Sequence, residues 1–229
     1  HLEMLEEARR RDHRKLGKEL DLVSFHPEAP ASPFFHPRGA RIYNTLVDYV
    51  RGLYERYGYD EVITPQIFDT ELWRTSGHYH HYRENMYFTE VDGREFAVKP
   101  MNCPSHCLLY SEGRHSYRVL PRRIADFGRL HRYELSGATA GLTRVRTFCQ
   151  DDAHIFCTQD QIREEVLGVV SMILETYEQF GFDVRIFLST RPEKRAGDDA
   201  LWDRTENALR AALDASEHPY EIAEGDGAF

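Results

Sequence analysis

The sequence predicts an α+β fold with a mainly antiparallel sheet flanked by helices. Three observations carry that reading. Short strand-like runs meet at tight-turn signals, most clearly Met86–Thr89 and Glu95–Val98 on either side of Asp92-Gly93. Helical stretches separate groups of such runs instead of alternating with single strands. No G-x-G-x-x-G fingerprint and no Walker lysine loop is present, which removes the usual signs of a doubly wound nucleotide fold.

Each element follows from local pattern. Residues 1–20 are densely charged and read as a linker or helix anchored by Leu2, Leu5 and Leu16. The prolines Pro27, Pro30, Pro33 and Pro37 mark residues 26–39 as a loop. From Ala40 to Tyr57, Ile42, Leu46, Val50, Leu53 and Tyr57 recur every three or four residues, the spacing of an amphipathic helix that Gly58 stops. Glu61–Thr64 reads as a short strand closed by Pro65. Residues 69–85 read as a helix interrupted near Gly77. Ala125–Glu134 and Val145–Phe156 read as two long strands joined by the flexible loop 136–141. Gln159–Phe180 is a long helix, Asp183–Ser189 a strand and Asp198–Ala215 the last helix.

Composition narrows the function classes. The chain has 229 residues, room for one large domain or two small ones at about 150 residues each. Hydrophobic residues at 41% and charged residues at 29% exclude a disordered chain. No apolar run approaches the ~20 residues that span a bilayer, so no membrane contact is expected. The formal charge of −9 is wrong for a simple nucleic-acid module, so any such contact must use local patches. The segment Arg114–Arg132 is one, with Arg118, Arg122, Arg123 and Arg129 between its ends; a solvated face gives the same pattern. Four cysteines and no visible signal peptide point to a reducing, cytoplasmic setting. The chain opens on His1 and closes on Phe229 after a turn-like Gly225-Asp226-Gly227-Ala228, and both ends read as cuts.

Two constellations carry chemistry. In a regular strand Arg132 and Glu134 point the same way, either as a neutral surface pair or as an arginine fork for an anion beside a carboxylate for an amino group. Arg144, Arg146, Gln150, Asp152 and His154 share one parity on the facing strand, interrupted by Phe148, and would complete a cradle for an anionic ligand. Cys103 and His154 are natural zinc donors, but two donors are half a site, and an inert buried Cys103 is the simpler reading.

Longer motifs are more specific. Thr75-Ser76-Gly77-His78, Lys99-Pro100-Met101-Asn102-Cys103-Pro104, Gln150-Asp151-Asp152-Ala153-His154-Ile155-Phe156-Cys157 and Leu188-Ser189-Thr190-Arg191-Pro192-Glu193-Lys194-Arg195 closely resemble the catalytic domain of the threonyl-tRNA synthetase family, class II aminoacyl-tRNA synthetases. The resemblance runs from Arg11-Asp12-His13-Arg14-Lys15-Leu16-Gly17 to Phe229. It implies a class II synthetase-like fold, C-terminally truncated: a charged linker or helix over 1–20, then a partial catalytic domain over 21–229 with motifs 1 and 2 but not motif 3. It implies activation of threonine with ATP and transfer to tRNA, with weak or no activity expected of this chain alone.

The roles carried over are specific. Arg132 contacts the ATP α-phosphate and the threonine carboxylate, Glu134 the adenine amino group, and Arg144 the terminal phosphates. Gln150, Asp152 and Met101 bind threonine. Cys103 and His154 ligate Zn2+, Mg2+ accompanies ATP, and His78 serves transfer to tRNA. Residues 42–65 form a homodimer interface. Ser105 and Thr147 stand where the family usually has glycine, and Cys149 where it usually has Thr or Met. Two other readings follow the same residues: a non-enzymatic truncated paralogue that dimerises or binds adenylate or tRNA, and a class II enzyme for proline or serine.

Overall fold

The computed structural model describes residues 2–227; the side chain of Leu2 and the terminal residues His1, Ala228 and Phe229 lie outside what is described. The chain forms two compact units. One holds residues up to Arg114 with Ile124–His154, the other His115–Arg123 with the residues from Ile155 onward.

The first unit opens with helices α1 (Leu2–Arg10) and α2 (His13–Glu19). The expected loop at 26–39 is instead a hairpin, β1 (Val23–His26) and β2 (Ala29–Phe35). Its prolines sit on a short two-stranded sheet, where a missing N–H is tolerated at an edge. Helix α3 (Pro37–Tyr57) begins on a proline and ends at Gly58, whose φ of 72° supplies the left-handed cap. Strand β3 (Asp60–Glu61) is shorter than expected and pairs in parallel with β7 (Arg122–Asp126).

Strand β4 (Ile67–Asp69) leads into α4 (Thr70–Thr75), capped by the Asp69 carboxylate accepting from the Glu71 N–H at 2.9 Å. The interruption expected at Gly77 is real: its φ of 80° starts α5 (His78–Tyr82). Strands β5 (Tyr87–Val91) and β6 (Arg94–Val98) form the predicted hairpin, with Asp92 and Gly93 both at positive φ. Trp73, Met86 and Ala97 form a core cluster under it, with Phe68, Tyr79 and Phe88 packed around. Helix α6 (Cys103–Ser111) starts at the cysteine of the predicted irregular segment.

Neither long strand expected around the arginines survives as one strand. The first breaks at Phe127-Gly128 into β7 and β8 (Arg129–His131). Gly128 lies so close to Asn102 that a Cβ there would fall 2.3 Å from its side-chain oxygen. The second breaks at Gln150-Asp151 into β9 (Thr147–Cys149) and β10 (Asp152–Phe156). β8 pairs with β9, and β10, β7 and β3 stand in that order in a three-stranded sheet. The sheets are therefore small, and antiparallel pairs coexist with parallel ones.

The second unit contains helix α7 (Ile162–Gln179), entered through a 3-10 turn at Gln159–Gln161, and α8 (Asp199–Ala215) packed against it. Strands β11 (Ile186–Ser189) and β12 (Tyr220–Ala223) pair in parallel; β12 was not expected. Arg123 makes two 2.6 Å hydrogen bonds to Glu165, so this member of the arginine-rich segment is tied up within the fold. Among the described residues, no helix is long and apolar enough to cross a membrane.

Two glycines of α3 make opposite predictions. A Cβ on Gly39 would lie 2.0 Å from the Leu22 carbonyl oxygen, whereas Gly52 has nothing within 4 Å. Gly39→Ala is expected to destabilise by about 1–3 kcal/mol. Gly52→Ala is expected to stabilise by about 0.5–1 kcal/mol. Urea unfolding of both variants checks the pair; a Gly39→Ala protein as stable as the parent contradicts the close approach.

Candidate active site

The site is built on the strand breaks. Past the end of β8, Arg132 turns its Nε–H to the Pro100 carbonyl at 3.1 Å, which fixes the base of its guanidinium. The guanidinium carbon lies 5.0 Å from the Phe148 ring centre and 5.7 Å from that of Tyr82. Among the described residues no carboxylate pairs with Arg132, so its remaining N–H groups are available to an anion. The pairing of Arg132 with Glu134 that same-face geometry allowed does not occur. Glu134 instead accepts from Arg144, at 3.0 Å from Nε and 2.9 Å from the terminal nitrogen. Arg146, mostly buried, donates to the Glu134 carbonyl at 2.9 Å and lies over the Tyr133 ring. It shapes the backbone and does not face the pocket.

Arg132, Glu134 and Arg144 line a cavity of about 520 Å³ with Tyr82, Leu142, Thr143, Val145 and Phe148. An arginine fork, an ion pair and an aromatic face make it a polar pocket with one stacking surface. Sequence reading treated Phe148 as an interruption of a polar row. The row does not exist as one regular face, and Phe148 is a wall of the pocket.

Behind the pocket lies a buried polar chain that sequence reading missed. Lys99 is 0% exposed. Its ammonium donates to Thr64 Oγ1 at 2.7 Å and lies 3.5 Å from Asp126, to which Thr64 also donates at 2.7 Å. His106, also fully buried, has Nε2 3.8 Å from the same carboxylate and Nδ1 2.7 Å from His154 Nδ1. Burial pushes Asp126 up, but His106, Thr64 and Lys99 together hold it below its ordinary value. Asn102 donates to Asp152 at 3.0 Å. Ser105 donates to the Asn102 carbonyl at 2.6 Å and its Oγ lies 3.3 Å from Thr64 Oγ1, so the residue that departs from the family glycine joins this network. The other two departures are also bonded locally. Thr147 Oγ1 lies 3.2 Å from His131, and the Cys149 thiol donates to the Phe127 carbonyl at 3.1 Å.

The remaining candidates are placed as follows. Gln150 is exposed in the break between β9 and β10. Asp152 begins β10, and its charge acts on both zinc candidates: it helps burial push the Cys103 thiol up, and it opposes the burial that lowers His154. Cys103 and His154 thus share one electrostatic neighbourhood. Among the described residues, however, no group of three or more His, Cys, Asp or Glu side chains could hold a metal ion. Two donors are half of a tetrahedral set. The residues present do not by themselves fit a zinc ion. His78 is buried, with Nδ1 2.9 Å from Ser76 Oγ and Nε2 3.1 Å from Met101 Sδ. Burial lowers its pKa, so the ring is neutral and couples two candidate residues.

With this geometry in view, the comparisons decide the family. The family model for the tRNA synthetase class II core domain (G, H, P, S and T) matches residues 87–217. The chain belongs to this family. It is 58% identical over 230 residues to a threonine–tRNA ligase of Bdellovibrio bacteriovorus and 53% identical over 229 residues to one of Caldanaerobacter subterraneus. Both alignments cover all of this chain, but it spans only 35% and 36% of the lengths of those relatives. A crystal structure of the RNA binding domain of threonyl-tRNA synthetase from Cryptosporidium parvum Iowa II superposes with a TM-score of 0.91 at 50% identity, covering 96% of this chain and 55% of that one. The class II synthetase-like α+β fold expected from the motifs is therefore the fold observed.

The buried charges yield two predictions. Asp126→Ala strands the Lys99 ammonium and is expected to cost about 3–5 kcal/mol, much of it recovered in the double variant Lys99→Met, Asp126→Leu. Denaturant titration of the three proteins checks it; a mild Asp126→Ala effect contradicts the pairing. Burial also depresses His78 and His131 below their ordinary value of 6.5. The unfolded chain then binds more protons as pH falls below ~6.5, so this stability is complete above that pH and lost below it. Melting temperature is expected to fall between about pH 6.5 and 5, before carboxylates titrate, and to fall less in His131→Gln.

Proposed function

We propose that this chain carries the amino acid activation site of a threonine–tRNA ligase. The observation that carries the reading is the pocket in which the Arg132 fork, with no carboxylate partner among the described residues, the Glu134–Arg144 pair and the Phe148 ring converge. Each part has a match in ATP. The Phe148 face accepts a planar base, Glu134 accepts from the adenine amino group, and Arg144, mostly exposed, leaves Glu134 to meet the terminal phosphates. Arg132 grips the α-phosphate and the threonine carboxylate. Charge grows on the α-phosphate as the carboxylate attacks, so a fork already fixed by Pro100 stabilises that state without reorganising.

Gln150, Asp152 and Met101 bind threonine in this proposal. Cys103 and His154 are the two positions the family resemblance assigns to zinc; two donors do not complete a site, and a metal analysis of the protein tests that part. Mg2+ accompanies ATP and offsets its charge. His78 serves transfer to tRNA, which requires its ring to leave Met101. The homodimer interface is assigned to residues 42–65, where Ile42, Leu46 and Ile63 are exposed. The setting proposed is cytoplasmic.

ATP–pyrophosphate exchange with threonine, serine, proline and valine tests the reading. Any threonine-dependent exchange, weak in this chain alone, is expected to fall by about 100-fold or more in Arg132→Ala. Bound ATP with no exchange for any amino acid would favour the non-enzymatic paralogue. Exchange with proline or serine in place of threonine would overturn the substrate.

A further inference from the structure

We propose that His13 is a positioning residue for the nucleotide pocket, holding the Gly141–Arg144 turn from behind. The effect on ATP rests on reading that pocket as the ATP site; the contact itself does not. His13 opens α2, and its Nε2 accepts a hydrogen bond from the Leu142 backbone N–H at 2.9 Å. The two residues are 129 positions apart in the chain, so this is a tertiary bond. The neutral ring must carry its proton on Nδ1 to accept at Nε2.

The turn is shaped around this contact. Gly141 has φ +50°, and a Cβ there would fall 2.1 Å from His13 Nε2 and 2.9 Å from Arg14 Cγ. Residues 140 and 144 bridge across the turn, with Ala140 N–H to the Arg144 carbonyl at 3.0 Å and Thr143 N–H to the Ala140 carbonyl at 3.0 Å. Arg144 therefore moves with Leu142. The anchor is rigid as well. Asp12 caps α2 by accepting from the Arg14 N–H at 2.9 Å and holds the Arg14 guanidinium. Gly17 sits close under Val23, so the helix lies against β1.

Leu142 is the partition. Its front lines the cavity of about 520 Å³ with Glu134 and Arg144. Its back lines a second, apolar cavity of about 420 Å³ with His13, Leu16 and Tyr43. A turn with hollow space on both sides keeps its place through few contacts, and the His13 bond ties its exposed backbone to a fixed helix. Loss of that bond lets the turn shift and carries Arg144 out of its place in the pocket wall. Binding of ATP then includes the cost of restoring the turn, while the fixed Arg132 fork is untouched.

The test uses the full chain with three single variants and one double. His13→Ala is expected to raise the KM for ATP about three- to tenfold, the scale of one lost neutral hydrogen bond, with kcat and the threonine KM unchanged within twofold. His13→Gln places its side-chain oxygen near the position of Nε2 and is expected to restore the parent value. Gly141→Ala displaces the ring from the other side, and the double variant with His13→Ala is expected to be no worse than the worse single. An unchanged ATP KM in His13→Ala, or an equal defect in His13→Gln, overturns the assignment. Hydrogen exchange at the Leu142 amide separates the contact from the pocket's function. Protection lost in His13→Ala and kept in His13→Gln supports the contact even if ATP does not bind the parent protein. Equal protection in all three overturns it.

Discussion

An ammonium group cannot be taken wholly out of water without a partner, and Lys99 meets that demand through Asp126 and Thr64. Those three residues come from the end of β6, from β7 and from the segment after β3. Satisfying one lysine therefore fixes where three backbone segments lie relative to each other. His106 extends the same carboxylate's reach to His154, and Ser105 links Thr64 to Asn102. The polypeptide from Lys99 to His106 is tied at Lys99, Ser105 and His106 by this polar set. That segment also carries Pro100, whose carbonyl aims Arg132, and Met101, against which His78 rests. The geometry of the pocket in front thus descends from a charge pair behind it.

On the reading proposed for the pocket, its charge is stored until a ligand arrives. Arg144 and Glu134 satisfy each other, with Glu134 mostly buried and Arg144 mostly exposed. An exposed arginine gives up an ion pair at little cost, because water replaces what it loses. In the proposed ATP site a triphosphate offers more negative charge than one carboxylate, so the exchange would run toward the ligand. Arg132 is different. Among the described residues it has no carboxylate to release, and a backbone carbonyl and two aromatic rings hold it in place. One arginine is a mobile clamp and the other a fixed one, a distinction the two residue names do not contain.

Local chemistry made much of the fold legible. Asp92-Gly93 announced its hairpin, Gly58 ended its helix, and the apolar spacing of 42–57 gave α3. The misses have physical causes. Proline-rich 26–39 read as a loop because a short edge hairpin spares the N–H groups that prolines lack. The strands around the arginines read as continuous because Gly128 and Gln150-Asp151 look harmless in sequence. The first break follows from a tertiary fact, the close approach of Asn102 to Gly128. The pocket residues Arg132, Glu134 and Arg144 were legible as a group, but their pairing was not, since parity arguments fail once the strand has ended. Lys99, Asp126 and His106 gave no local signal, because nothing in a lysine's neighbours along the chain says that it is buried.

The strand breaks explain why the chemistry gathers where it does. A regular β-ladder uses every backbone N–H and carbonyl in pairing and sends side chains alternately to two faces. At the end of β8 the Pro100 carbonyl is free to orient Arg132, and Glu134 can turn toward Arg144 instead of lying beside Arg132. Between β9 and β10 the break lets Phe148 face the pocket while Asp152 faces Asn102. Gly128 and Gly141 serve the same end in different ways. One lets the backbone pass against a buried amide, and the other lets it pass against a histidine ring. Both are places where a side chain would cost the site its shape, so the glycines specify the pocket as firmly as the charged residues that line it.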